Sequence, residues 1–395
     1  LAPGMAYLNT DQVLRDRGRE PDDDFEVMLQ GNPVLAPFQG EYSVPTRPFS
    51  FVKRVRANPM HAWRTFHEPV GQVQAPLVAI EAASYHQKAA AIDGAVAYVS
   101  GMNVKSTDWD TNDHRLFDHK RMRFEATEQE RLAVKKRLAM PDQGPRKDYG
   151  VRIEGPTARD VDDVLRVRWE HGLQTGAMFS EGATSYELLP PAEGTGTVTA
   201  QVVATMPDPL SERGILETLL KASRQATDLI YIEDQYWRAP ILQDAIAAAL
   251  DENPDLHMVV ITKPVPIADG GKKYTVLGDD FYRNNYPDRY LVLQLKVFDR
   301  RDNEVFFQNM DVHSKIQIVD DVYLCVGSAN KNNRGLLYEG ELSVAVVDPT
   351  FAKKTRHDIF ANLIGPWYST ALKPADFIPA FDQAAGLNNL AFQTW

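Results

Sequence analysis

Two stretches of the chain repeat one pattern of apolar and polar positions. Residues 85–103 and 313–330 each consist of an apolar run, a short turn that contains Asp, and a second apolar run. Asp93-Gly94 and Asp320-Asp321 are typical turn residues, whereas the flanking runs are rich in residues that suit a buried strand. Each stretch is therefore predicted to form a β-hairpin.

Helix–strand units precede the second hairpin. Residues 214–235 and 241–264 each show apolar residues at helical spacing and then a continuous apolar run, which predicts a helix followed by a buried strand. Only one weaker unit, at residues 10–31, precedes the first hairpin. Because the hairpins are otherwise alike, we expect a leading part of the first half to lie before Leu1, since its loss would expose a sheet edge.

Other segments carry weaker signals. Residues 151–172 predict a strand, a Gly-Pro turn and an amphipathic helix that His171 caps at its C-terminus. Residues 127–139, which begin with the spacing of a capping box, and residues 351–364 predict two further helices. Residues 264–290 show no clear periodicity, and no regular element is predicted there.

The two hairpins carry the same polar side chains at the same offsets. In each copy a Lys follows a His by two residues, an Asp follows it by seven and an Asn by seventeen. These residues are His86, Lys88, Asp93 and Asn103 in the first copy, and His313, Lys315, Asp320 and Asn330 in the second. Because residues two apart on a strand project from one face, each His–Lys pair would address one substrate. Lys and Asn can hold the oxygens of a phosphate ester, and His can act as nucleophile or as acid and base.

This doubled motif, HxKxxxxD followed by a turn and an Asn, resembles the phospholipase D superfamily. The second copy continues as VHSKIQIVDDVYLCVGSANKNNRGLLYEGELSVAV, which is similar to the long C-terminal motif of that family. The segment IYIEDQYW at 230–237 resembles one found in its lipid-cleaving members. The resemblance implies an α/β fold of two pseudo-symmetric halves, each a mixed β-sheet flanked by helices, with the active site at their interface.

The implied halves are residues 1–171 and 214–395, joined by a linker or loop at 172–213 that contains a strand at 197–206. Residues 30–75 are rich in Pro and aromatic residues. They form either a surface excursion packed by its own aromatic side chains or a loop over the active site that meets lipid.

The resemblance also implies roles for the repeated residues. His86 matches the family nucleophile that forms a phosphohistidine, and His313 matches the general acid and base. The residues that match phosphate binders are Lys88, Lys315, Asn103 and Asn330.

Acidic residues are expected to support these groups. Glu341 matches the acid that orients the second His, and Asp148, with Asp118 as the alternative, matches the acid that orients the first. Asp93 and Asp320, although part of the motif, are expected to fix the hairpins rather than to touch substrate.

Three positions depart from the family pattern. Ser100 replaces a usual Gly, Asp234 replaces a usual Asn, and Gly335 stands where Ser is common. None of these changes removes a reacting group, so the chain is expected to be an active enzyme.

The implied reaction is hydrolysis of a glycerophospholipid at a membrane surface, which releases phosphatidic acid and an alcohol, with water or an alcohol as acceptor. No cofactor is required, and a divalent cation could stimulate activity. The resemblance also extends to secreted bacterial effectors of type VI systems, for which an immunity or delivery protein would be a partner. The alternatives are a nuclease of the same superfamily, a cardiolipin-synthase-like phosphatidyltransferase and a non-catalytic membrane scaffold.

Composition narrows these alternatives. The 395-residue chain has a net charge of −11, which argues against a nucleic-acid partner, since such proteins usually present a basic face. No run of about 18 apolar residues suggests a membrane span. The single cysteine, Cys325, lies in an apolar run and predicts a buried thiol.

Acidic residues and two histidines cluster between 108 and 119. The cluster comprises Asp108, Asp110, Asp113, His114, Asp118 and His119. Such a set predicts either a metal site or a polar loop that leads into the helix at 127–139. The polar loop is favoured, because the spacing does not match an EF-hand.

Overall fold

The computed structural model describes residues 83–175, 177–178, 184–194, 196–207, 209–266 and 272–394, together with three two-residue strands before residue 83. Apart from strands at 28–29 and 36–37, the segments 10–31 and 30–75 lie outside the described residues.

Short strands dominate the described chain. In chain order they are β1 Met28–Leu29, β2 Ala36–Pro37, β3 Ala79–Ile80, β4 Ala89–Ile92, β5 Val96–Ser100, β6 Arg146–Lys147, β7 Gly150–Glu154, β8 Ala177–Met178, β9 Ala200–Met206, β10 Glu212–Arg213, β11 Leu229–Asp234, β12 Trp237–Arg238, β13 His257–Ile261, β14 Tyr290–Leu293, β15 Lys296–Arg301, β16 Glu304–Asn309, β17 Asp311–Val312, β18 Lys315–Val319, β19 Tyr323–Gly327, β20 Lys331–Asn332 and β21 Glu341–Val347.

The described helices flank these strands. They are α1 Glu128–Lys135, α2 Thr157–Thr175, α3 Gly214–Arg224, α4 Pro240–Glu252, α5 Lys272–Asn285, α6 Pro349–Ile364 and α7 Pro374–Thr394. Short 3-10 turns occur at Ser106–Asp108 and Gly365–Trp367, and one π-helical turn occurs at Arg334–Tyr338.

The second half is built on an eight-stranded mixed sheet in the order β10-β9-β21-β19-β18-β11-β13-β14. Strands β11, β13 and β14 run parallel, and β11 pairs antiparallel with β18. The second hairpin, β18–β19, lies inside this sheet and is buried along its whole length. Burial on both faces explains why its sequence is a continuous apolar run rather than an alternating one.

The first hairpin pairs with β7 in a three-stranded antiparallel sheet, β4-β5-β7. Its apolar side chains share one core with the large sheet, in which Ala97, Val99 and Ile153 of the first half meet Ile316 and Val326 of the second. The two hairpins therefore lie in facing layers with their polar ends at one interface.

Helices cover the outer surfaces of these layers. Helix α2 packs on β4 and β5, and α3 and α4 cover the far face of the large sheet through Leu219, Leu242 and Ile246. The expected α/β fold of two related halves is confirmed, although the described sheet of the first half is antiparallel rather than mixed.

Most predicted elements are present. Both hairpins, both helix–strand units before the second hairpin and α6 lie where the pattern placed them. Thr127 and Glu130 form the expected capping box at the start of α1. Strand β9 lies within the segment expected as a linker and pairs with β21 in the large sheet.

Three expectations were wrong. Helix α2 continues to Thr175, so His171 lies inside the helix instead of capping it. Helix α5 occupies part of the segment without periodicity, where packing of Tyr282 and Tyr286 on neighbouring aromatic rings stabilises it. The region after residue 364, for which no helix was predicted, contains α7, which buries Phe377 and Phe381.

Candidate active site

The opposite half of the chain positions the first histidine. The backbone N–H of His86 donates to the carbonyl of Gly340 at 2.8 Å, and Nδ1 of its imidazole lies 2.9 Å from Oε1 of Glu341. Oε2 of Glu341 accepts from the hydroxyl of Ser328, in the turn after β19. Because Glu341 is fully buried and held from two sides, its orientation is fixed by the protein.

The second histidine has the same arrangement. The backbone N–H of His313 donates to the carbonyl of Lys147 at 2.8 Å, and its Nδ1 lies 2.8 Å from Oδ2 of Asp148. Oδ1 of Asp148 accepts from the N–H of Tyr149 at 2.9 Å. In each case the carbonyl belongs to the residue just before the carboxylate, so the two histidines are held by equivalent contacts.

This pairing corrects our prediction of which acid orients which histidine. Glu341 contacts His86, not His313, and Asp148 contacts His313, not His86. Glu341 is the first residue of β21 and Asp148 lies two residues before β7, and each of these strands pairs with the second strand of the hairpin in its own half. The histidine that each carboxylate contacts belongs to the facing half.

The two motif lysines fold back onto their own hairpins. Nζ of Lys88 donates to the carbonyl of His86 at 2.6 Å. Nζ of Lys315 donates to the carbonyl of His313 and lies 3.1 Å from Nδ1 of the same residue. Each ammonium is thus held beside its own imidazole.

Burial lowers the pKa of both lysines. It lowers the pKa of Lys88 to about 8, with Glu341 opposing the shift and Lys315 adding to it. It lowers the pKa of Lys315 to about 8, with Asp148 opposing the shift. Because groups of both motifs act on Lys88, the two hairpins contribute to one electrostatic cluster.

Burial acts on the His313–Asp148 pair as well. It lowers the pKa of His313, and Lys315, Arg146, Lys88 and His86 lower it further by charge repulsion. Burial raises the pKa of Asp148 to about 7. Burial therefore disfavours charge on both members of the pair, and His86 is among the groups whose charge acts on His313.

The two motif asparagines differ. The carboxamide of Asn103 donates to Oδ2 of Asp108 at 2.9 Å. Asn330 is only 6% exposed, and among the described residues its Oδ1 has no hydrogen-bond partner. A buried polar atom without a partner is costly, so Asn330 is the better placed of the two to engage a ligand.

The motif aspartates lie in the turns of the hairpins. Asp93 and Asp320 adopt φ values of 53° and 52°, in the left-handed region that Asp tolerates in tight turns. The carboxylate of Asp320 accepts from the backbone N–H groups of Thr227, Asp228 and Leu229 at 2.8 to 2.9 Å. As expected, these residues fix the hairpins and do not contact the histidines.

The acidic loop is held by arginine. Asp110 binds Arg121 at 2.9 Å and His114 at 2.9 Å. Asp118, the alternative partner for the first histidine, instead accepts from the N–H of Lys120 and lies 3.9 Å from His119. These contacts support the polar-loop interpretation of residues 108–119.

Comparison with known proteins supports the resemblance of the region around the second motif. Residues 218–363 match the family model described as "Cardiolipin synthase, PLD-like domain". This region of the chain, residues 218–363, is therefore a phospholipase D-like domain.

Two curated relatives share this phospholipase D-like region. Cardiolipin synthase A of Pseudomonas putida is 23% identical over 69% of this chain and 46% of its own length. Phospholipase D A of Dictyostelium discoideum is 24% identical over 67% of this chain and 24% of its own length. The chain thus spans about half or less of the curated relatives that it matches.

Among solved structures, phosphatidylserine synthase of Haemophilus influenzae superposes with a TM-score of 0.46 at 12% identity. The superposition covers 79% of this chain and 69% of that one.

Two departures from the phospholipase D pattern have visible compensation. Asp234 is fully buried and binds Nζ of Lys331 at 3.1 Å, so the extra negative charge is paired. The hydroxyl of Ser100 donates to the carbonyl of Tyr149 and accepts from the N–H of Met102, which closes the turn before Asn103.

Two glycines permit close approach at the site. A Cβ at Gly101 would lie 2.3 Å from Oδ1 of Asp148 and 2.9 Å from Cδ of Lys315. A Cβ at Gly335, where the family often has Ser, would lie 2.5 Å from the carbonyl oxygen of Asn330. Gly101 was not among the predicted site residues, although it lies in the repeated turn before the motif Asn.

Two buried glutamates were also missed. Glu233 accepts from the hydroxyls of Tyr149 and Ser314 beneath the second motif, and it lies in the IYIEDQYW segment that marked the family. Glu339 accepts from the hydroxyl of Ser84 at 3.0 Å and from Arg334, which ties the start of the first motif to the second half.

Among the described residues, His86, Glu339 and Glu341 form the one group that could hold a metal ion, with ligand atoms within 4.8 Å of one another. Both carboxylates already have protein partners, as described above. Every described helix is too short or too polar to cross a bilayer.

Proposed function

We propose that the protein cleaves the phosphodiester bond of a glycerophospholipid through a phosphohistidine intermediate. The observation that carries the proposal is the pair of reciprocal His–carboxylate contacts, His86 with Glu341 and His313 with Asp148, across one interface. With Nδ1 of each ring engaged, Nε2 is the nitrogen left for chemistry.

The first displacement would form a bond between Nε2 of neutral His86 and phosphorus. The bond from phosphorus to the head-group oxygen breaks, and that oxygen takes the proton from Nε2 of His313. The products are a phosphatidyl group on His86, a free head-group alcohol and a neutral His313.

The second displacement would release the lipid. His313 takes a proton from water, the water oxygen bonds to phosphorus, and the bond from phosphorus to His86 breaks. Phosphatidic acid leaves, and both imidazoles return to their starting protonation states.

The surrounding charges would serve both steps. Lys88, Lys315 and Asn330 would bind the non-bridging oxygens and stabilise their developing charge. A bound phosphate anion also opposes the repulsion that lowers the pKa of His313, so substrate itself would load the general acid with its proton. The electrostatic stabilisation is thus assigned to side chains, and no cofactor is invoked.

An alcohol could replace water in the second displacement, which would make the enzyme a phosphatidyltransferase. This candidate is supported by the matching family model and by the Pseudomonas putida relative, both described as cardiolipin synthase.

Product analysis tests the proposal and separates the two candidates. The protein would be incubated with vesicles of phosphatidylcholine and phosphatidylglycerol, with and without added glycerol, and the lipids analysed by mass spectrometry. Phosphatidic acid indicates hydrolysis, whereas cardiolipin or a glycerol-exchanged lipid indicates transfer. Cleavage of plasmid DNA without any lipid product would contradict both.

A further inference from the structure

The loop that follows the first hairpin exposes three apolar side chains and buries two polar ones. Met102, Val104 and Trp109 are 50%, 89% and 44% exposed, whereas Thr107 and Asp108 are 4% and 7% exposed. A loop normally shows the opposite arrangement, since exposure of apolar side chains to water is unfavourable.

Hydrogen bonds and an ion pair hold the loop in this form. Asp108 accepts from the carboxamide of Asn103 at 2.9 Å and binds Nζ of Lys105 at 3.1 Å. The 3-10 turn at Ser106–Asp108 closes with a backbone bond from Asp108 to Lys105. These contacts therefore fix the loop conformation in which the apolar side chains are exposed to solvent.

This loop begins at the catalytic groups. Gly101 packs against Asp148 and Lys315, so closely that a Cβ there would overlap both side chains. Met102 and Val104 follow within three residues, a reach of about 10 Å in an extended chain. Apolar groups at this position would contact the acyl chains of any bilayer that presents its phosphates to the two histidines.

The charge beside the apolar side chains suits lipid phosphate. Nζ of Lys120 lies 4.3 Å from the ring centroid of Trp109, and Lys120 is exposed. Trp and Lys side chains both suit a membrane interface, because each has an apolar body and a polar tip that can reach water. The net charge of −11 gives no long-range attraction to an anionic membrane, so local apolar contact would have to supply the binding.

We propose that Met102, Val104 and Trp109, with Lys120, form an interfacial patch that inserts into the surface of a phospholipid bilayer beside the active site. The inference deepens and rests on the proposed lipid substrate. It assigns the docking surface to the loop after the first motif. Contact with lipid had been expected, as one of two alternatives, for residues 30–75.

Vesicle binding of the full chain tests the patch directly. The probe is a phosphatidylcholine vesicle, and binding is measured by co-sedimentation. Val104→Asp should weaken binding on the order of tenfold or more, because the bound protein would then place a charge among acyl chains, where the wild type places an apolar group. Wild-type binding should persist in high salt, since apolar contact is not screened.

Val347→Asp is the matched control. Val347 is 56% exposed and lies at the opposite end of β21 from Glu341. This variant should bind vesicles as the wild type does. Thermal unfolding midpoints of both variants should match the wild type, since neither side chain is buried.

Activity on two substrates separates the patch from the chemistry. Val104→Asp should lower kcat/KM on vesicles by a factor similar to the loss of binding and leave cleavage of monomeric dibutyrylphosphatidylcholine within about twofold. Three results would overturn the proposed patch. They are unchanged vesicle binding by Val104→Asp, equal losses of activity on both substrates, and a wild-type dimer that this variant dissociates. A wild type that binds vesicles through Val104 but cleaves neither lipid would instead contradict the proposed function alone.

Discussion

At the scale of single residues, the two histidines share contacts but not surroundings. The side chain of His86 is 26% exposed and that of His313 is 7% exposed. Burial lowers the pKa of the deeper ring, and the charges of Lys315 and Arg146 lower it further. In the proposed division of work, the more exposed His86 attacks phosphorus, and His313 moves the proton once a bound phosphate has raised its pKa.

Replacement of either histidine should abolish most of the activity. His86→Ala and His313→Ala are each expected to lower kcat by roughly a thousandfold or more, the scale for loss of a nucleophile or a general acid–base group. His257→Ala serves as the control, since His257 begins β13 and Nδ1 of its ring contacts the neighbouring carbonyl of Asp255. Near-normal turnover in a motif variant would remove that histidine from the mechanism.

The lysine pKa values predict an alkaline limit. Lys88 and Lys315 bind phosphate only when protonated, and burial lowers the pKa of each to about 8. As pH rises through about 8, the free enzyme loses these charges, so kcat/KM should fall. The fall in kcat should begin at higher pH, because a bound phosphate raises both pKa values. A kcat/KM that stays level well above pH 8, with the fold intact by circular dichroism, would contradict the role of the lysines.

At the scale of elements, the hairpins were predictable because their information is local. Turn residues such as Asp93 and Asp320 and the apolar runs beside them mark each strand within a few positions. Helix α5 was not predictable, because its stability comes from tertiary packing of tyrosines rather than from periodicity. The two carboxylates were predicted correctly as orienting acids. Their histidine partners could not be predicted, because they depend on how two sheets that are distant in sequence pack together.

The turn after β5 should be sensitive to a single methyl group. Gly101→Ala would place a Cβ 2.3 Å from Oδ1 of Asp148, so Asp148 must move away from His313. We expect kcat to fall by about tenfold or more, with a smaller change in stability. Gly196→Ala is the matched control, since a Cβ there meets nothing within 4 Å. Equal activity of the two variants would show that the Asp148–His313 contact tolerates displacement.

At the scale of the whole molecule, the active site exists only when the halves are docked. Each histidine is held by a carbonyl and a carboxylate from the facing half, and one apolar core continues through both sheets. The proposed catalysis therefore depends on the complete interface rather than on either hairpin.

The reciprocal pairing is the central claim, and imidazole proton NMR of the full chain labelled with [15N]histidine tests it most directly. An Nδ1–H shared with a buried carboxylate gives a downfield resonance, which His86→Gln and His313→Gln assign. Asp148→Asn should remove the resonance of His313 and keep that of His86, and Glu341→Gln should do the reverse. Loss of the His86 resonance in Asp148→Asn, with that of His313 retained, would contradict the account.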